Sequence, residues 1–283
     1  MTASKLTAII QNNHQRGRLT KVPFLSAAFP RAEDYWETLI ELAQNGADII
    51  EIGVPFSDPI ADGPVVAAAS QKALANGGDL DYILDGLKKH RDQLSPGMVL
   101  MGYVNPFIQY SWAEAATRAA SNGSAGTVQD IVAASLELLA AKLSAAGVDG
   151  LIVPDLPLEE SGPWLAALKK NGLELIPLVG PNTSLEKMRR YAASGVGGYV
   201  YVVSVMGTTG VRAGLPPEVS ETLARAREAF GLPLALGFGL SAPSQLEVID
   251  KQARPEAAVF GSALIKHLEA GGRARDFMAP WND

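Results

Sequence analysis

The chain has 283 residues, 47% of them hydrophobic and 19% charged, with a net charge of −6 and no cysteine. That balance supports one large core or two modest domains, and it excludes disulfides, thiolate metal sites and a cysteine nucleophile. It argues against nucleic acid, whose footprint is a basic patch, and against a membrane span, because no apolar run reaches roughly 18 residues. The first stretch, "MTASKLTAIIQNNHQRGR", lacks a signal-peptide apolar core. The expected setting is cytoplasmic.

In chain order, a helix-like stretch, "SKLTAIIQNNHQ" (4–15), comes first. Short apolar runs then alternate with helix patterns. The candidate strands are "VPFLSAAF" (22–29), "DIIEIGV" (48–54), "MVLMGYV" (98–104), "DGLIVPD" (149–155), "LELIPLV" (173–179), "GYVYVVS" (198–204), "LPLALGF" (232–238) and "AAVFG" (257–261). Such continuous runs suit parallel strands, which are covered on both faces. Between them, "AEDYWETLIELAQNG" sets Tyr35, Leu39 and Leu42 on one stripe and stops at Gly46. "SLEKMRRYAASG" opens at Ser184 as a candidate N-cap and closes at Gly195, and "PPEVSETLARAREAFG" opens on prolines and closes at Gly231. The rhythm predicts an α/β fold, a (β/α)8 TIM barrel over residues 1–283 as a single domain. The N-terminal extra helix would plug its lower end. A doubly wound open sheet is the alternative.

One region breaks the rhythm. Residues 111–147 hold two helical patterns split by "SNGSAGT" (121–127), the second rich in Ala and Leu. It reads as an enlarged crossover after the third strand, because the barrel pattern resumes at Asp149.

The stretch "IEIGVPFSDPIADGP" (50–64) places acids beside an apolar wall. Ile50 and Ile52 share one strand face and Ile49, Glu51 and Gly53 the other. The isoleucines suit the helix layer, so Glu51 is expected to face inward. There it loses hydration, its pKa rises, and it can both give and take a proton. The structural alternative is a pairing with a buried cation. Asp62, in "ADGP", fits a simple turn as well as it fits chemistry, and Asp58 in "SDP" reads as a turn cap.

Glycines cluster at the later strand ends: "SVMGTTGVRAGLPP" (204–217), "GFGLS" (237–241) and "FGSALIKHL" (260–268), the last opening a helix at Ser262. Helix N-termini offer free N–H groups, and glycine lets an anion approach. Any one cluster is explained by turning alone. Three in succession predict a phosphate ester, at a place where barrels recurrently bind one. No GXGXXG is present, which argues against a dinucleotide. His14, His90 and His267 lie within helix patterns without metal-ligand spacing, so no metal is expected. Phe24, Tyr103, Tyr199 and Tyr201 lie on predicted strands, either as core or as walls of an apolar slot.

Taken together, "GADIIEIGVPFSDPIADGPVVAAASQKAL", "VLMGYVNPFIQY", "VDGLIVPDLPLEE", "GYVYVVSVMGTTG", "LALGFGLS" and "GSALIKHL" strongly resemble the tryptophan synthase α subunit, over residues 19–268. The resemblance implies a lyase that splits indole-3-glycerol phosphate into indole and glyceraldehyde 3-phosphate by a retro-aldol reaction. It implies that Glu51 is the general acid/base at the indole ring carbon and that Asp62 stabilises the ring nitrogen as it becomes positive. Tyr201 matches the tyrosine packed by the glutamate. Gly210, Gly239, Gly261 and Ser262 match phosphate-binding positions, and Thr209 a threonine on a mobile loop. Phe24, Tyr103 and Asp155 match residues that wall or support the indole pocket. Asp58, Pro59 and Asn105 match the face toward the β subunit. That partner carries pyridoxal phosphate and completes an αββα heterotetramer, while no cofactor is implied in this chain.

The chain departs from the family pattern twice. After the first strand the family usually reads Thr-x-Gly-Asp-Pro; here it is "SAAFP" (26–30). The missing aspartate bears on how the loop after the second strand is supported. The enlarged crossover follows the partner-facing "NPF", which suggests a modified interface or a different partner. Two other functions fit the same fold: a free-standing lyase releasing indole, and an allosteric subunit that senses a phosphate ligand and activates its partner. The presence of both acids favours chemistry over sensing alone.

Overall fold

Ser4 accepts a hydrogen bond from the Thr7 amide and so starts helix α1 (Lys5–Gln15). In the computed structural model, which describes residues 4–121, 127–203, 218–237, 239–250 and 253–282, this helix closes the lower end of a barrel. A side chain on Gly97, Gly150 or Gly198 would lie 2.8, 3.1 or 3.4 Å from a Leu6 methyl carbon, so small residues at these strand starts make room for the plug. The Thr7 hydroxyl donates to the Gly198 carbonyl at 2.6 Å. The expected N-terminal plug is present.

Strand β1 (Thr20–Ser26) leads to α2 (Ala32–Gln44), whose buried stripe is Tyr35, Leu39 and Leu42, as its spacing predicts. Strand β2 (Ile49–Gly53) is followed by a loop and by α3 (Pro64–Ala75), with proline in its first turn, then by α4 (Leu80–His90). Strand β3 (Gly97–Met101) leads into three helices: α5 (Val104–Tyr110), α6 (Trp112–Ser121) and α7 (Val128–Ala145). Next come β4 (Gly150–Ile152), α8 (Gly162–Lys170), β5 (Glu174–Leu175), β6 (Leu178–Val179) and α9 (Leu185–Ser194). Then follow β7 (Val200–Val203), α10 (Glu218–Ala229), β8 (Leu234–Gly237), β9 (Ala257–Phe260), α11 (Ser262–Glu269) and α12 (Ala274–Met278).

All strand pairs are parallel, in the order β5-β4-β3-β2-β1-β9-β8-β7-β6. Strands β5 and β6 are two pieces of one pass, split around Ile176 and Pro177. Proline cannot donate to a ladder, which breaks the strand. The amide of Ile176 still donates to Leu151 O, and that of Tyr201 to Pro177 O, so the ring of eight passes closes there. The sheet is therefore the expected barrel and not an open doubly wound sheet.

The structure corrects three local expectations. The stretch "SAAFP" leaves the strand after Ser26: Ala28 takes a φ of +63° and Phe29 is 1% exposed. A left-handed alanine costs about 1–2 kcal/mol, and burying the phenylalanine returns roughly 2–3 kcal/mol. The predicted strand 98–104 stops at Met101, and Tyr103 becomes the N-cap residue of α5. His90, expected from its helix pattern to be a surface residue, is half-buried and stacked on Trp36, with ring centroids 5.4 Å apart. The enlarged crossover is anchored at its base. Lys142 of α7 donates to Ser111 Oγ and Glu114 Oε2 and lies over the Tyr110 ring.

Candidate active site

Register decides what meets at the barrel mouth. Phe24 on β1 lies opposite Glu51 on β2, which in turn lies opposite Val99 on β3. Glu51 points inward, as expected, and is fully buried. Its Oε1 accepts a 2.6 Å hydrogen bond from the Tyr199 hydroxyl, while Oε2 has no partner among the described residues. Burial pushes its pKa up to about 8, against a smaller downward pull from the Tyr199 hydrogen bond. The cation-pairing alternative is not what the structure holds: its one hydrogen-bond partner among the described residues is a neutral phenol. Tyr199 was not singled out as a partner from sequence. Its position two residues before Tyr201 was the available signal, since i and i+2 share a strand face.

Asp62 sits on the loop between β2 and α3. This loop is fastened at three points. Ser70 Oγ accepts from the Phe56 amide at 2.9 Å and donates to the Phe56 carbonyl at 3.0 Å. Gln71 Nε2 donates to Ser57 O at 2.7 Å, and the Ala61 amide donates to the Tyr103 hydroxyl at 3.0 Å. Support for the loop thus comes from α3 and Tyr103, in a chain that lacks the family aspartate after β1. Burial pushes Asp62 up to about 6, opposed by a hydrogen bond from Tyr103. Asp58 is exposed and its carboxylate takes the Ser57 hydroxyl, which agrees with a turn role.

Two small adjoining cavities open beside these acids. Phe24, Asp62, Val66 and Met101 line both; Tyr201, Gly239, Gly261 and Ser262 line the first and Tyr103 the second. Phe24 reaches the mouth because its neighbours are glycines. A Cβ on Gly53 would fall 2.6 Å from its Cζ, and one on Gly261 2.9 Å from its Cδ1. Glu51 touches neither cavity directly, yet the charges of both Glu51 and Asp62 act on Tyr201, after the larger effect of burial, and hold its phenol neutral. The structure therefore brings Glu51, Asp62, Phe24, Tyr103 and Tyr201 to one mouth, with Gly239, Gly261 and Ser262 on its far side.

On that far side, Gly239 has a φ of +89° and a Cβ there would enter open space. Ser262 is the first residue of α11, whose amide groups are open at this end. Thr209 and Gly210 lie outside the described residues, as does Phe238 of "GFGLS". Asp155 is exposed; instead of walling the cavity, it accepts from the Val104 amide at 2.9 Å and caps α5. Asn105 is exposed on α5 and Pro59 half-exposed on the acid-bearing loop. A larger groove lies between α2 and the turn from α11 to α12. Its cations are already paired, Arg273 with Glu41, Lys72 with Glu269 and Arg31 with Asp34, and neither Glu51 nor Asp62 lines it. Among the described residues no group of three or more His, Asp or Glu could hold a metal, and no helix is long and apolar enough to cross a membrane.

The family described as Tryptophan synthase alpha chain matches residues 10–279. The tryptophan synthase alpha chain of Desulfovibrio desulfuricans is 54% identical over 265 residues, covering 94% of each chain. That of Nitratidesulfovibrio vulgaris is 52% identical over 281 residues, covering 99% of each. Among solved structures, tryptophan synthase of Mycobacterium tuberculosis superposes with a TM-score of 0.83 at 28% identity, over 99% of this chain and 97% of that one. The fold, the paired acids at its mouth and these full-length likenesses agree: the chain belongs to the tryptophan synthase alpha chain family.

Proposed function

We propose that the chain cleaves indole-3-glycerol phosphate to indole and glyceraldehyde 3-phosphate, as the α subunit of tryptophan synthase in tryptophan biosynthesis. The observation that carries this reading is the pair of carboxyl groups held at different depths, Glu51 near pKa 8 and Asp62 near 6. At neutral pH one is an acid and the other an anion. Glu51 protonates the indole ring carbon that bears the side chain. Positive charge then develops at the ring nitrogen, where the Asp62 carboxylate stabilises it through the ring N–H. The Glu51 carboxylate left by that transfer takes the proton of the side-chain hydroxyl, the carbon–carbon bond breaks with its electrons passing into the ring, and aldehyde and indole separate. The protonated ring is the electron sink, so the step calls on no cofactor in this chain. Phe24 and Tyr201 flank the ring, and Tyr103 supports it. Gly239, Gly261 and Ser262 hold the phosphate at the amino end of α11, with Thr209 and Gly210 completing that side.

Asp58, Pro59 and Asn105 face a β subunit that carries pyridoxal phosphate, in an αββα assembly. The enlarged crossover modifies that interface; equal capture by a β subunit after deletion of residues 122–127 overturns this. The described residues share one hydrophobic cluster, which supports reading 1–283 as a single domain, in a cytoplasmic protein. The decisive experiment is steady-state cleavage of indole-3-glycerol phosphate with and without a β subunit. Activity that rises with the partner is expected. High activity alone identifies a free-standing lyase, and none in either case a sensor.

A further inference from the structure

Tyr103 does more than wall a cavity. Its ring is 3% exposed and lies against Phe56, with centroids 5.2 Å apart. Its hydroxyl accepts from the Ala61 amide at 3.0 Å, and it lies close enough to the Asp62 carboxyl to pull that group's pKa down against the larger effect of burial. One oxygen thus fixes the backbone before Asp62 and acts on the side chain beside it. The same residue is the N-cap of α5, and its carbonyl accepts from the Phe107 amide. That first turn is held from outside by Asp155, through its 2.9 Å bond from the Val104 amide.

We propose that Tyr103 is a positioning residue for Asp62, and that Asp155, by capping α5, positions Tyr103. The catalytic consequence rests on the lyase reading; the contacts do not. The titratable groups around the pair are Tyr201 from β7, Asp155 beyond β4, and Glu51, which acts on Tyr201. A hydrogen bond to a carboxylate favours its charged form. Removing the hydroxyl therefore moves Asp62 further up from about 6 and frees its loop.

The test is a double-mutant cycle on the full chain with its β subunit. Tyr103→Phe, which keeps the ring, lowers kcat about tenfold or more, the scale of a lost hydrogen bond to a charged group. In an Asp62→Asn background the same change costs less than about twofold, because both act through one group. Asp155→Ala repeats the pattern more weakly. Equal losses in both backgrounds overturn the proposal. Carbon-13 NMR titration of the Asp62 carboxyl in the ligand-free chain provides a second readout. An upward shift in Tyr103→Phe supports the coupling and an unchanged midpoint overturns it. Wild-type protein that fails to cleave indole-3-glycerol phosphate sinks the lyase reading, while the titration still decides the coupling.

Discussion

The strand β2 and the loop after it each carry one acid, and they hold it by different means. Glu51 is locked by sheet register between Phe24 and Val99, fully buried, with one neutral partner. Asp62 is half-buried and depends on side chains from elsewhere to fix its loop. The same functional group therefore reaches about 8 on the strand and about 6 on the loop. Depth of burial, rather than residue type, separates the two carboxyl groups in pKa.

The sharpest way to break the comparison is to neutralise each acid. Glu51→Gln and Asp62→Asn each lower turnover by about 10²-fold or more, the scale of lost acid–base catalysis. Circular dichroism and β-subunit binding stay unchanged in both. Near-normal turnover in either variant removes that residue from the reaction.

The next effect is on pH. Cleavage rises as Asp62 deprotonates through about 6 and falls as Glu51 loses its proton through about 8. A bell between those values is expected in kcat/KM, which reports the free enzyme. A profile flat from pH 5 to 9 breaks the division of roles.

Stability separates the acids further. Folding raises the pKa of Glu51 from 4.5 to about 8. The folded form therefore binds the proton more tightly than the unfolded chain. The resulting stability is full below pH 4.5 and is lost as pH rises to about 8. Glu51→Gln abolishes that slope and gains on the order of 5 kcal/mol over wild type between pH 4.5 and pH 9. Asp62→Asn gains about 1 kcal/mol or less, since solvent screens a half-exposed group. Urea melts across pH measure both, and a Glu51→Gln variant less stable than wild type at pH 9 contradicts the burial argument.

The barrel was legible because parallel strands buried on both faces leave unbroken apolar runs. The break at Pro177 was not read, although proline's missing donor was visible. Glu51 was legible from alternation against Ile50 and Ile52. Asp62 was not legible from the residues alone, because Asp-Gly serves turns as readily as chemistry. Only the motif resemblance singled it out, and only the fold shows Tyr103 fastening its loop at Ala61. Long-range contacts such as Tyr199 to Glu51, 148 positions apart, leave no local pattern beyond a shared strand face. The cap that Asp155 supplies to α5 is invisible for the same reason.

The smallest effect tests whether loop and strand are independent. Ser70→Ala removes the hydroxyl that satisfies both polar groups of Phe56. Two backbone groups at the loop's start then lose their partner, at a cost of about 1–3 kcal/mol. That cost falls mostly on loop order, because Ser70 lies on α3 and makes no hydrogen bond to β2 or its acid. Turnover drops several-fold through Asp62, and the acid limb of the pH profile shifts. The basic limb, set by Glu51 inside the sheet, stays at about 8. Movement of both limbs together means that the strand acid feels the loop, and the two supports are then one coupled unit.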